Sequence, residues 1–173
     1  MTTFTTKNLI IAGLYVALLI VAQLALSALA GVEVVTVLLL AFCFIRGVKQ
    51  GVVVATAFSL IRCFVFGFTP NVLVLYLLYY NLFALSVGFL GRVCKHKYSL
   101  LSHALAVVLA VCLTAFFTLL DCVITPLMYA FSYKASNAYF FASIPVVFSQ
   151  TICTLATSVL LFFPLTKVFQ EIK

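Results

Sequence analysis

The chain alternates between long apolar stretches and short polar ones. A membrane-spanning helix needs about 20 apolar residues, and these stretches are continuously apolar, which favours helices over the period-two pattern of a β-barrel. The pattern predicts six helices, over residues 8–30, 32–45, 48–66, 72–90, 100–131 and 138–165. The second stretch is short for a crossing. It is either a short or tilted span or a re-entrant segment.

Composition supports the same class. Hydrophobic residues make up 66% of the 173 residues and charged residues 8%, whereas about a quarter of the residues of a soluble domain are charged. So few charges cannot cover a water-facing surface. The sequence therefore predicts an integral membrane protein, all-α, in which residues 1–173 form a single domain.

Lysine and arginine predict the orientation. With six crossings both chain ends lie on one side of the membrane, together with Lys7, Arg46, Lys49, Arg92, Lys95, Lys97, Lys167 and Lys173, and the opposite loops hold Lys134. The positive-inside rule then predicts cytoplasmic termini. The net charge of +7 is explained by topology and by contact with anionic lipid, so we expect no nucleic-acid partner.

A cleaved signal peptide is the alternative for the N-terminal stretch, because Ala28-x-Ala30 has the form of a cleavage site. The apolar run before it is longer than that of a signal peptide, which favours a retained helix.

Motifs of catalysis and metal binding are missing from the sequence. The six cysteines form no C-x-x-C pair and have no histidine cluster nearby, so we predict neither a disulfide framework nor a metal site. The chain also has no G-x-x-x-x-G-K-[ST], G-x-S-x-G or H-E-x-x-H motif. We therefore expect a protein that is not an enzyme and carries no cofactor.

The informative residues are the few polar side chains inside the apolar stretches. By counting along the predicted spans at about 1.5 Å per residue, we place the strongly polar ones in the outer half of the membrane or at its midplane. The candidate substrate-binding residues, with two tyrosines one turn apart, are Gln23, Glu33, Arg62, Tyr76, Tyr80, Asn81, Asp121 and Gln150. A charge at the bilayer centre costs about 2.5–3.5 kcal/mol, and such residues usually face a cavity or a partner.

Arg62 has three interpretations. It pairs with Asp121 or Glu33, it binds an anionic or carbonyl group of a ligand, or it extends to the outer headgroups. The loops "GFTPN" after Phe66 and "SYKASN" before Tyr139 are expected to cover the mouth of the pocket.

Threonines and other polar residues also recur at helical spacing. The fifth stretch has Thr114, Thr118, Asp121 and Thr125 on one face, and the sixth has Ser143, Gln150, Thr154 and Thr157. Such stripes line a site or hold helices together, since interhelical hydrogen bonds in membranes contribute about 0.6 kcal/mol each.

The last third of the chain resembles a known family. "FFTLLDCVITPLMYAF" (116–131) and "YFFASIPVVFSQTICTLATSVLLFFPLTKVF" (139–169) are similar to the fifth and sixth helices of S-components, the substrate-binding membrane subunits of energy-coupling factor (ECF) vitamin transporters. The residues that match are Asp121, Tyr139, Phe140, Ala142, Ile144, Pro145, Pro164 and Leu165. Ser143 replaces a glycine of that pattern, and Thr154 stands where many members have asparagine.

The resemblance implies a six-helix fold in a bacterial plasma membrane and a pocket that opens outward for a small vitamin, precursor or related micronutrient. It also implies a coupling subunit and two cytoplasmic ATPases as partners, which hydrolyse the ATP, and release of the cargo by toppling in the membrane. In this family a small-residue surface of the first helix docks the coupling subunit. Here that surface corresponds to Ala12, Gly13 and Ala17.

Other pairs have the same spacing, Gly47/Gly51, Ala84/Gly88 and Ala106/Ala110, so packing within the chain is the alternative. The alternative functions are an autonomous carrier or channel, a membrane-embedded enzyme, or a structural subunit of a larger complex.

Overall fold

The structure, a computed structural model, describes residues 6–27, 34–95 and 99–171, and in these ranges it consists of helices without strands. The helices are α1 (Thr6–Leu26), α2 (Val35–Arg46), α3 (Val48–Phe66), α4 (Pro70–Val93), α5 (Leu100–Met128) and α6 (Tyr133–Glu171). All except α2 are long and apolar enough to cross a membrane. The all-α prediction is confirmed for the described residues, and they fit a multi-pass membrane protein.

The short helix α2 forms the core of the bundle. Its residues 35–45 are all buried, and it contacts each of the other five helices. A helix that is apolar on every side is typical of a buried core helix or of a membrane span. With 12 residues it is about 18 Å long, so α2 alone is too short for a hydrocarbon core of about 30 Å.

A single residue, Gly47, reverses the chain between α2 and α3. Its φ of 79° lies in the region that favours glycine. The two helices pack as a hairpin, since a Cβ added at Gly51 would lie 2.8 Å from Sγ of Cys43. The last turns of α4 pack on the same turn, where Gly91 contacts the carbonyl oxygen of Phe44. We call this the Gly47 end of the bundle.

The opposite end, which we call the Asp121 end, carries the links 67–69 and 129–132. The prediction that "SYKASN" forms a covering loop is wrong, because residues 133–137 belong to the start of α6. The oxygen Oγ of Ser132 accepts a hydrogen bond from the backbone nitrogen of Ala135 at 3.3 Å. This is the contact of an N-cap, which starts a helix here.

Basic residues divide unequally between the two ends. The Gly47 turn and the last turns of α4 and α6 carry Arg46, Lys49, Arg92, Lys95 and Lys167, and the first turn of α6 carries Lys134. We therefore predict that an impermeant amine reagent labels Lys134 on intact cells, and that Lys95 and Lys167 react only after permeabilisation. Mass spectrometry of the labelled peptides checks this. Labelling of Lys95 on intact cells would show that the orientation in the membrane is opposite to the predicted one.

Candidate functional site

Arg62 lies level with the second turn of α4. The antiparallel pair α3 and α4 is joined by two side-chain hydrogen bonds: Thr56 donates to Oδ1 of Asn81 at 2.9 Å, and Ser59 donates to the carbonyl oxygen of Tyr76 at 3.1 Å. One turn further along α3, the guanidinium carbon of Arg62 lies 4.0 Å from the ring centroid of Tyr76. This register places Arg62 opposite residues 73–76.

Asp121 lies at the same level on the other side of α4. Nδ2 of Asn71 donates to Oγ1 of Thr125 at 3.2 Å, and the rings of Tyr76 and Phe117 are 5.7 Å apart. Asp121 is midway between Phe117 and Thr125 on α5, so it faces the part of α4 between Asn71 and Tyr76. The two charged residues therefore share one depth, within about one turn of helix, or about 5 Å.

Aromatic rings hold the Arg62 side chain. The guanidinium lies over Tyr76 and 5.2 Å from the ring centroid of Phe66, a cation–π geometry. Its Nε is buried and has no hydrogen-bond partner among the described residues. The guanidinium therefore packs on a ring of the next helix. No ion pair with Asp121 exists within the described part of the chain, and Glu33, the other predicted partner, lies outside that part.

The Asp121 carboxylate is the centre of a polar network. Oδ1 accepts from Thr125 at 2.6 Å, and Oδ2 accepts from the hydroxyl of Tyr139 at 2.5 Å. Thr125 in turn accepts from Asn71, whose Oδ1 accepts from the hydroxyl of Tyr129 at 3.1 Å. The network connects α4, α5 and α6 at the Asp121 end. Each carboxylate oxygen accepts a hydrogen bond from one hydroxyl and keeps a second lone pair that can accept another.

The two predicted stripes face each other along α5 and α6. Thr118 donates to Oε1 of Gln150 at 3.1 Å, and Thr114 donates to Oγ1 of Thr154 at 3.2 Å. Thr114 and Thr154 are both buried. These parts of the stripes therefore hold α5 and α6 together, as the packing interpretation of the stripes predicts.

Three other predicted residues have surroundings that differ from those of Arg62 and Asp121. Asn81 pairs with Thr56, which precedes Arg62 by six residues of α3. Asn81 therefore lies about 9 Å nearer the Gly47 end than Arg62 does. Tyr80 is 2% exposed and packs on Phe58, with ring centroids 5.1 Å apart, so it belongs to the apolar core. Gln23 lies in the last turn of α1, and its buried Oε1 has no hydrogen-bond partner.

The central helix stops short of this level. In the hairpin about Gly47, Cys43 lies opposite Gly51, and continuing the register puts Val35, the first residue of α2, opposite Ser59. Arg62 is three residues further, or about 4.5 Å beyond the start of α2. In this register helix α2 therefore begins about one turn short of the depth of Arg62, and residues 28–33, which precede it, lie outside the described part of the chain.

The candidate site residues predicted from the sequence did not include three members of the network, Asn71, Tyr129 and Tyr139. Tyr139 was named only for its match to the family pattern. Asn71 was interpreted as part of a turn, but it lies in the first turn of α4, which begins with Pro70. Proline at the first position of a helix is common, and this signal would have extended the helix. Tyr129 follows α5 directly, and its role depends on the fold.

A second feature is an apolar groove between α1 and α3. It has a volume of about 500 Å³, and Ala12, Gly13, Ala17, Val53 and Ala57 are among its lining residues. Gly13 and Ala17 are exposed, and a Cβ at Gly13 would meet no atom within 4 Å. Members of the competing small-residue pairs are instead buried, namely Gly51, Ala84, Gly88, Ala106 and Ala110. Those pairs are explained by packing within the chain, whereas the α1 surface is not.

The site offers recognition chemistry. It combines a guanidinium, a carboxylate, hydroxyls and rings, and the described residues contain no cluster of three or more possible metal ligands. The chain matches no known protein family, no curated protein and no solved structure.

Proposed function

We propose that this chain is the substrate-capturing membrane subunit of an importer of the ECF type. It binds a small water-soluble molecule, of the vitamin or precursor class, at the Asp121 end and passes it inward after docking on a coupling subunit. Two cytoplasmic ATPases of that assembly supply the energy.

The observation that carries this proposal is the position of the charges relative to α2. Arg62 and Asp121 come from two different helices to the one depth that the first residue of the central helix does not reach. Binding sites for small molecules are mostly apolar with a few convergent polar groups, and charged residues within a membrane protein face a cavity or a partner.

The polar groups also differ between the two ends. Among the described residues, the hydrogen-bonded carboxylate and the ring-bound guanidinium lie at the Asp121 end. At the Gly47 end the core is mainly apolar, with contacts such as Phe44 on Phe162 and Phe42 on Phe169. The buried polar side chains there are the uncharged hydroxyls of Ser102, Ser158 and Thr166. A pore needs polar groups through the full thickness of the membrane. This asymmetry favours a subunit that captures its ligand from one side over a channel.

The α1 groove is the surface that we assign to the coupling subunit, since small residues let a partner helix approach closely. We predict that Gly13→Leu together with Ala17→Leu abolishes copurification of the coupling subunit and the ATPases from native membranes. Both positions are exposed, so folding is spared and a small molecule that remains bound to the purified wild type also remains bound to the variant.

Affinity purification followed by protein and native mass spectrometry measures both properties of this variant. Gly13→Ala, which adds one methyl group where no atom lies within 4 Å, is the matched control and should keep the partners. Wild-type protein that copurifies with neither ATPases nor a coupling subunit would contradict the proposed function.

A further inference from the structure

The two charges at the candidate site are held apart by neutral groups. Arg62 and Asp121 lie at the same depth, on two sides of α4, yet within the described residues neither forms an ion pair. Two opposite charges in a low-dielectric interior gain by pairing, and leaving either one alone is costly. Here the guanidinium is held by the Tyr76 and Phe66 rings, and the carboxylate by the Thr125 and Tyr139 hydroxyls.

Aromatic rings line the surface of α4 and α5 between the two charges. Tyr76 contacts Arg62 on one side and Phe117 on the other, and Phe117 is one turn of α5 from Asp121. The surface between the Arg62 guanidinium and the Asp121 carboxylate is therefore aromatic. Such rings stack well on a flat ligand ring.

From this arrangement we infer that the site takes a small zwitterion with a flat ring. Its anionic group meets the Arg62 guanidinium, and its protonated amine meets the free lone pairs of the Asp121 carboxylate. The inference rests on the proposed function, because it names the substrate class of the same site. A ligand with both charges satisfies both residues at once, and a ligand with one charge leaves the other residue unpaired.

Three matched probes test the substrate class by titration calorimetry on the purified full-length chain. They are 4-(aminomethyl)benzoate, which carries both charges, 4-methylbenzoate, which keeps the anion, and benzylamine, which keeps the cation. Because the zwitterion gains one more charge-assisted hydrogen bond than either other probe, it should bind at least about tenfold more tightly than either. Equal affinities, a preference for a single-charge probe, or no binding of the zwitterion would overturn the inference.

Variants of Arg62 and Asp121 show which residue recognises which charged group of the probe. Arg62→Gln should lower the affinity for the zwitterion to that for benzylamine, and Asp121→Asn should lower it to that for 4-methylbenzoate. Arg62→Lys keeps the positive charge and should keep a preference for the zwitterion, which controls for folding. Arg92→Gln, an exposed residue in the last turn of α4, should leave all three affinities unchanged. A zwitterion preference that persists in Arg62→Gln and Asp121→Asn would place the site elsewhere.

The inference and the proposed function fail in different ways. If the ATPases copurify and native mass spectrometry finds a neutral or singly charged molecule in the protein, the subunit role stands and the zwitterion class is wrong. If the zwitterion binds as expected but no ATPase copurifies, the substrate class stands and the importer role is wrong.

Discussion

Arg62→Ala is expected to abolish binding of the natural ligand. A guanidinium that meets an anionic group through two charge-assisted hydrogen bonds contributes at least about 100-fold to affinity. Native mass spectrometry of the purified protein should show a small molecule on the wild type and none on the variant. The fold should survive, because within the described part of the chain Arg62 makes ring contacts but no ion pair.

Arg92→Ala is the matched control for this experiment. Arg92 is exposed at the Gly47 end of α4, so its loss should leave the bound molecule in place. Thermal unfolding of both variants in the absence of ligand separates a binding defect from a folding defect. A ligand that Arg62→Ala retains at wild-type occupancy would remove Arg62 from the site.

Gly91→Ala is expected to destabilise the bundle strongly. The added Cβ would lie 2.2 Å from the carbonyl oxygen and 3.0 Å from the Cα of Phe44, and a backbone atom of the central helix cannot move aside as the end of a side chain can. Overpacking of this kind costs about 3 kcal/mol. Denaturant unfolding in detergent should show a lower midpoint, and the yield of folded protein should fall.

Gly13→Ala is the comparison for Gly91→Ala. It makes the same chemical change in a helix of the same bundle, where no atom lies within 4 Å of the new Cβ. Its unfolding midpoint should equal or exceed that of the wild type, since alanine favours the helix over glycine by about 1 kcal/mol. Equal stability of the two variants would show that α4 does not approach α2 as closely as the structure describes.

Much of the helical architecture could be predicted from the sequence, because long apolar runs leave a chain in lipid no alternative to helices. The third helix has the predicted bounds 48–66. The place of α2 could not be predicted in this way. A short apolar stretch fits a short or tilted span and a re-entrant segment equally well, and its place in the core of the bundle depends on its contacts with all other helices.

The sequence likewise predicts some features of the candidate site, whereas others depend on the fold. Arg62 and Asp121 were identifiable because a charge in an apolar run is costly and therefore informative. Their shared depth depends on the registers of α3, α4 and α5, which side-chain contacts set. Asn81 illustrates the limit, because its place along the sequence suggested the site, whereas its hydrogen bonds to Thr56 and to the Leu77 carbonyl give it a packing role.

The central claim is that the bundle encloses a water-accessible site at the depth of Arg62 and Asp121, and that this site closes toward the Gly47 end. In a cysteine-free background, a cysteine at Thr125 or at Thr114 places a thiol on the same face of α5, and the two positions are 11 residues, or about 16 Å, apart. An impermeant thiol reagent applied to intact cells should modify Thr125→Cys and leave Thr114→Cys unmodified. Modification of neither would show a solid Asp121 end, and modification of both would show a channel; either result would contradict the account.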